Sequence, residues 1–168
     1  MHSILAVALL LLNTSYGAMT SRHIKALSHE DIQGLQEGRG MGFALAAELN
    51  SYPGPKHVLE MAADLKLTVD QRTRVQQSHD EMKSSAVALG REIVDLERQL
   101  DEAFAAGNID AKRLRELTAA IAERQGKLRY AHLAAHLTTR AALTAEQIKA
   151  YDAARGYGLE KGAHPGHH

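Results

Sequence analysis

The 168-residue sequence predicts an all-α protein built on a long antiparallel helical hairpin with short flanking helices. Three observations carry that expectation. Leu67-Thr68-Val69-Asp70-Gln71 and Leu143-Thr144-Ala145-Glu146-Gln147 repeat one helix-starting signature. In each, Thr at the N-cap and Gln three residues later form a capping box, satisfying backbone N–H groups that the first turn leaves unpaired. Between the boxes runs a Pro-free stretch with a sustained apolar seam, and no stretch of the chain alternates as a strand does. The composition agrees: Ala, Leu, Glu, Gln and Arg suit long helices, and seven aromatics without Trp leave little for a large compact core.

The elements follow in order. Ile4 to Leu12 is unbroken apolar chain, and small residues Ser15 and Gly17 follow it. It is too short for a bilayer, which needs about 20 apolar residues, but it suits the core of a signal peptide cleaved after Gly17. Met1-His2-Ser3 lacks the usual basic residue, so a buried N-terminal helix is the alternative. No other run is as apolar, so the mature chain is expected to have no membrane span. Ser28, with Asp31 at N3, predicts a short helix start. Gly38-Arg39-Gly40-Met41-Gly42 superficially resembles a phosphate-binding loop, but without a preceding strand it predicts no nucleotide site. Gly42 to Asn50 reads as another short helix, stopped by Ser51-Tyr52-Pro53-Gly54-Pro55, and His57 to Leu65 as an amphipathic one.

From Val75 the seam runs through His79, Met82, Ala86, Leu89, Ile93, Leu96, Leu100 and Ala103 in steps of four and three, the heptad period. Gly107-Asn108 ends it, as Gly past a helix C-terminus does. Asp110 caps the return helix, whose seam is Leu114, Leu117, Ile121, Arg124, Leu128, Ala131, Ala135, Thr138 and Ala142. Helices of roughly 39 and 33 residues would be about 58 and 50 Å long, an extended hairpin. The second box starts a last helix. The division expected is 1–17 signal peptide, 18–55 short helices and Gly/Pro-rich linker, 56–156 hairpin, and 157–168 flexible His-rich tail.

Composition narrows function. The 20 basic and 20 acidic residues cancel, which argues against a nucleic-acid surface held by counterion release. There is no Cys, so an exported chain must rely on helix packing instead of disulfides. No HExxH, GxSxG or P-loop lysine motif is present, so neither catalysis nor an organic cofactor is expected.

Ten histidines are the main chemical clue. His132 and His136 stand at i and i+4 on one helix face, a spacing that can chelate a divalent metal such as Zn, Cu or Ni and that also occurs in solvated pairs. A turn centred near Asn108 sets His79 opposite position 137, beside His136, as a third imidazole or as a mere polar interruption of the seam. His57, Glu60 and Met61 combine imidazole, carboxylate and thioether at i, i+3 and i+4; otherwise they are a surface cap and a core residue. The tail histidines His164, His167 and His168 can capture metal weakly or do nothing specific. Tyr130, Leu133, Leu137 and Ala141 form a second apolar stripe, covered by the N-terminal helices or serving as a dimer or client surface.

The paired LTVDQ and LTAEQ boxes flanking a hairpin behind a leader resemble the LTxxQ-motif periplasmic proteins. These include the Spy/CpxP-type chaperones, the zinc-resistance-associated proteins and the periplasmic heavy-metal sensors. The likeness covers roughly residues 55 to 156. It implies a periplasmic location, a hooked homodimer, and either metal binding for tolerance or sensing or ATP-independent chaperoning. Partners it implies are unfolded envelope proteins or a membrane-bound sensor. Metal-binding members carry histidines just ahead of each motif, where His57 and the pair His132 and His136 stand here. The sequence departs from the pattern in having no anchor to tether a sensor, no Cys ligand, and a neutral charge where a chaperone cradle is basic.

Overall fold

The computed structural model describes residues 16–157, so expectations for the leader before Tyr16 and for His164, His167 and His168 lie outside the described residues. Among the described residues seven helices follow in order: α1 (Tyr16–Met19), α2 (His29–Gln36), α3 (Leu45–Glu48), α4 (Pro55–Glu60), α5 (Val69–Ala105), α6 (Ala111–Ala142) and α7 (Ala145–Arg155). Among the described residues there is no strand. No helix there is long and apolar enough to cross a membrane.

Helices α5 and α6, of 37 and 32 residues, form the hairpin. Gly107 takes φ +64° past the end of α5, the left-handed geometry that a helix C-terminus needs. Asp110 then caps α6, accepting from the Arg113 N–H at 2.7 Å. The register places Glu92 against Arg124, symmetric about the turn at Asn108.

The seam departs from the heptad pattern toward the base. Leu117, Ile121, Leu128 and Ala135 are buried as expected, but there His132 and Thr139 replace Ala131 and Thr138 as the most buried positions. An undistorted helix drifts about 20° per heptad from a 3.5-residue repeat, and the segment before α5 covers the side to which α6 turns. Ser78 and Gly90 are buried on α5 for the same reason.

That N-terminal segment runs down α5 from tip to base. The Lys25 N–H donates to Asp101 Oδ1 at 3.1 Å near the tip. Ser28 caps α2 in a complete capping box with Asp31. Leu35 then packs with Ala86, Ile93 and Leu128. A Cβ on Gly90 would fall 1.9 Å from the Leu35 carbonyl oxygen, so only glycine lets α2 lie directly on the α5 backbone. Two of the short helices are shorter than expected. Only Leu45–Glu48 is helical within 42–50, and α4 starts at Pro55 and ends at Glu60. Turn geometry separates them, with Met41, Gly42, Ser51 and Lys66 at positive φ.

A second core lies at the base, where Val58, Leu65 and Val75 surround Tyr151. There the two boxes meet. Thr68 and Thr144 accept from the Gln71 and Gln147 backbone N–H groups, as read from sequence. The two glutamines also bond to each other: Gln71 Nε2 donates to Gln147 Oε1 at 2.7 Å, and Gln147 Nε2 to Gln71 Oε1 at 3.0 Å. Gln71 Nε2 donates further to the Ala142 carbonyl at 2.9 Å, and Gln147 Nε2 to that of Leu65 at 3.1 Å. Each carboxamide thus uses both donors and both acceptor sites. The boxes cap two helices and also clasp the open end of the hairpin.

Candidate metal-binding cleft

A cleft of about 430 Å³ opens between α5, α6 and the segment folded over them. Antiparallel pairing brings α5 residues His79 and Met82 alongside α6 residues His132 and His136. The Gly38–Gly42 turn, α3, the start of α4 and the end of α7 form the remaining walls. Gly38 and Gly42, at φ +60° and +77°, supply the left-handed residues by which the chain leaves α2 and turns across the face.

His136 is held from behind. Its Nδ1 donates to the Tyr52 carbonyl at 2.7 Å, leaving the Nε2 lone pair free. One turn further along α6, Arg140 donates to the Ser51 carbonyl at 3.0 Å and stacks over the Tyr52 ring at 4.5 Å. These two side chains fix the 51–54 turn that positions the carbonyl. Gly54 makes room for the ring: a Cβ there would lie 3.0 Å from His136 Cε1 and 3.2 Å from Nε2 and press on it.

His132 is only 4% exposed, and its Nε2 is buried without a hydrogen-bond partner. Its ring stacks on Phe43, centroids 5.6 Å apart. Burial first, and then its neighbours His136 and Lys83, push its pKa below the usual histidine range. The imidazole is therefore held neutral, the state that ligates metals.

The structure distributes the remaining sequence candidates unevenly. His79 and His57 line the same cleft, but His79 Nδ1 lies 3.2 Å from Asp80 and His57 Nδ1 3.0 Å from Glu60. Met61 does not join His57 and Glu60; it packs against the core around Val58. Tyr130 and Leu137 are 73% and 58% exposed, Ala141 is exposed and Leu133 half-buried. The segment before α5 packs on the side of α6 that carries His136 and Arg140 and leaves most of this stripe open.

Glu48 is the residue that sequence reasoning missed. It is buried, and its Oε2 accepts from the Gly54 N–H at 3.0 Å and sits 3.6 Å from His136 Nδ1. Its Oε1 accepts from the hydroxyls of Tyr151 and, at 3.0 Å, Tyr157, with Arg155 Nε 3.7 Å away. Burial and the adjacent carboxylate raise the pKa of Tyr151, so its proton stays on the phenol. The one signal in the sequence is a lone acid within the apolar run Phe43 to Leu49.

Among the described residues, no three His, Cys, Asp or Glu side chains stand close enough together to hold a metal ion. The cleft nonetheless fits a metal in two respects: an orphaned buried imidazole nitrogen, and a neighbouring imidazole oriented by a backbone carbonyl, as metal-ligating histidines are.

The fold is thus a capped helical hairpin with an imidazole-lined cleft near its base. The chain belongs to the heavy-metal resistance family, whose model matches residues 40–150. No curated protein and no solved structure matches it significantly. The matched span takes in the cleft and both boxes.

Proposed function

We propose that this protein is an exported, non-enzymatic metal-binding protein of heavy-metal tolerance or sensing in the bacterial envelope, and that it holds its metal in the cleft on His132 and His136. The observation that carries the reading is the unpartnered Nε2 of buried His132 beside a His136 whose Nδ1 is already committed to Tyr52. Leaving a buried polar atom unsatisfied costs about 1–3 kcal/mol, and coordination would remove that cost. Membership of the heavy-metal resistance family supports the reading, as does the leader-like apolar start of the chain. Zn, Cu and Ni are the metals that imidazole suits.

A second reading, chaperoning of unfolded envelope proteins, is favoured by the open stripe at Tyr130 and Leu137. The same stripe suits a homodimer interface. Calorimetric titration of the mature apo protein with Zn, Cu and Ni separates the readings. His136→Ala abolishes the tightest binding if the cleft is the site, and truncation after Gly162 leaves it intact. The opposite pattern would leave only a metal-capturing tail on a structural hairpin.

A further inference from the structure

The donors around the cleft narrow the metal, given the reading of the cleft as the metal site. Its acid is Glu48, whose oxygens are taken up by Tyr151, Tyr157 and the Gly54 N–H. The chain has no Cys. Tetrahedral zinc draws its ligands from thiolate, imidazole and carboxylate, and no three such groups converge among the described residues. Thioethers remain: Met41 and Met82 both line the cleft, as Met61 does not, Met82 standing where the cleft meets the core of Leu35, Ala86, Ile93 and Leu128. Met82 stands one turn after His79 on the same face of α5.

Met41 is the more telling of the two. It lies between Gly40 and Gly42 with φ +43°, a left-handed backbone that a residue with a side chain adopts at a cost. A glycine there would be unstrained, so the position holds a long thioether against its backbone preference, as functional sites do. A second glycine accommodates the sulfur. A Cβ on Gly34 would fall 2.7 Å from Met41 Sδ, so a larger residue there would displace it.

Imidazole with thioether is a soft donor set, which selects copper(I) over zinc. Copper(I) also accepts low coordination numbers, which suits two imidazoles and few further donors. We propose that the cleft takes copper in its monovalent state, with silver(I) as its analogue, on His132 and His136 together with the Met41 and Met82 thioethers.

The test uses the full mature chain with His164, His167 and His168 replaced by Ala. Copper(I) affinity is measured anaerobically under reductant against the chromophoric chelator bicinchoninate, and zinc affinity against a zinc indicator. Copper(I) is expected to bind far more tightly than zinc. Met41→Leu and Met82→Leu, each of which keeps the apolar volume, should each weaken copper(I) about tenfold or more while leaving zinc unchanged. Copper X-ray absorption should show a sulfur shell that the double variant loses. Circular dichroism confirms that each variant is folded, and either one alone suffices. Zinc binding tighter than copper(I), unchanged copper(I) affinity in folded Met variants, or no sulfur shell overturns the proposal and leaves the cleft as an imidazole site. If neither metal binds in a His136-dependent way, the cleft reading itself fails and the proposal falls with it.

Discussion

Coupling between the two capping boxes can be measured by a double-mutant cycle on Gln71 and Gln147. Gln71→Ala removes the bond that its Oε1 accepts from the Thr68 N–H at 3.0 Å, the bond from Nε2 to the Ala142 carbonyl, and both bonds to Gln147. At a net contribution of about 0.5–1.5 kcal/mol each, the loss should be about 2–4 kcal/mol because the site is only partly buried. Gln147→Ala should cost a similar amount, since its Oε1 accepts from the Thr144 N–H at 2.9 Å and its Nε2 reaches the Leu65 carbonyl. The pair shares two bonds, so the double variant should lose about 1–3 kcal/mol less than the sum of the singles. Thr68→Ala is the internal standard: it removes a cap and nothing across the clasp, and should cost about 1 kcal/mol. Urea unfolding of the four proteins, with unchanged m-values, supplies the free energies. Single effects that add to within about 0.5 kcal/mol would show that each box stabilises only its own helix.

The pH dependence of stability should carry the mark of His132. Its folded pKa is depressed, mainly by burial, so the unfolded state binds the extra proton. The stability it contributes is complete above the unfolded value of about 6.5 and is lost as pH falls from there through the folded value. His132→Leu should flatten the fall in melting temperature between about pH 7 and 5, and an unaltered slope would assign that dependence to other groups. Gly90→Ala should undock α2, because the new methyl meets the Leu35 carbonyl; hydrogen exchange should quicken in 29–36 while α6 stays protected, and unchanged exchange would contradict the close approach. Polar replacement of Leu133 and Leu137 should abolish suppression of client aggregation if the stripe is a client surface, but should dissociate a dimer if it is an interface. Sedimentation beside an aggregation assay distinguishes the two.

The hairpin was legible because its signals are local or periodic. Thr68, Gln71, Thr144 and Gln147 announce caps within four residues, and the four-three steps from Val75 to Ala103 announce one buried face. The pairing of Gln71 with Gln147 was not legible, since each glutamine already had a complete role in its own box. The burial of His132 in place of Ala131 was hidden similarly. It depends on which side of α6 the N-terminal segment covers, a tertiary detail that no local signal in α6 carries. Glu48 was missed because a four-residue helix between turns carries no periodicity, and its partners Tyr151 and Tyr157 lie more than a hundred residues further along the chain. His132 and His136 were legible as a pair from their spacing, but the anchoring of His136 on Tyr52 was not.

The glutamine clasp also makes the hairpin mechanically polar. Its two legs are joined at the base by side chains 76 residues apart, whereas at the tip Phe104 and Leu114 face solvent. Splaying the base would break the starts of α5 and α7 together, so those two ends open as one unit or not at all. Breathing is therefore directed to the turn at Asn108, 24 to 29 residues of chain from the cleft residues His79, Met82, His132 and His136 on either leg, and thermal motion at the tip leaves the spacing of His132 and His136 undisturbed.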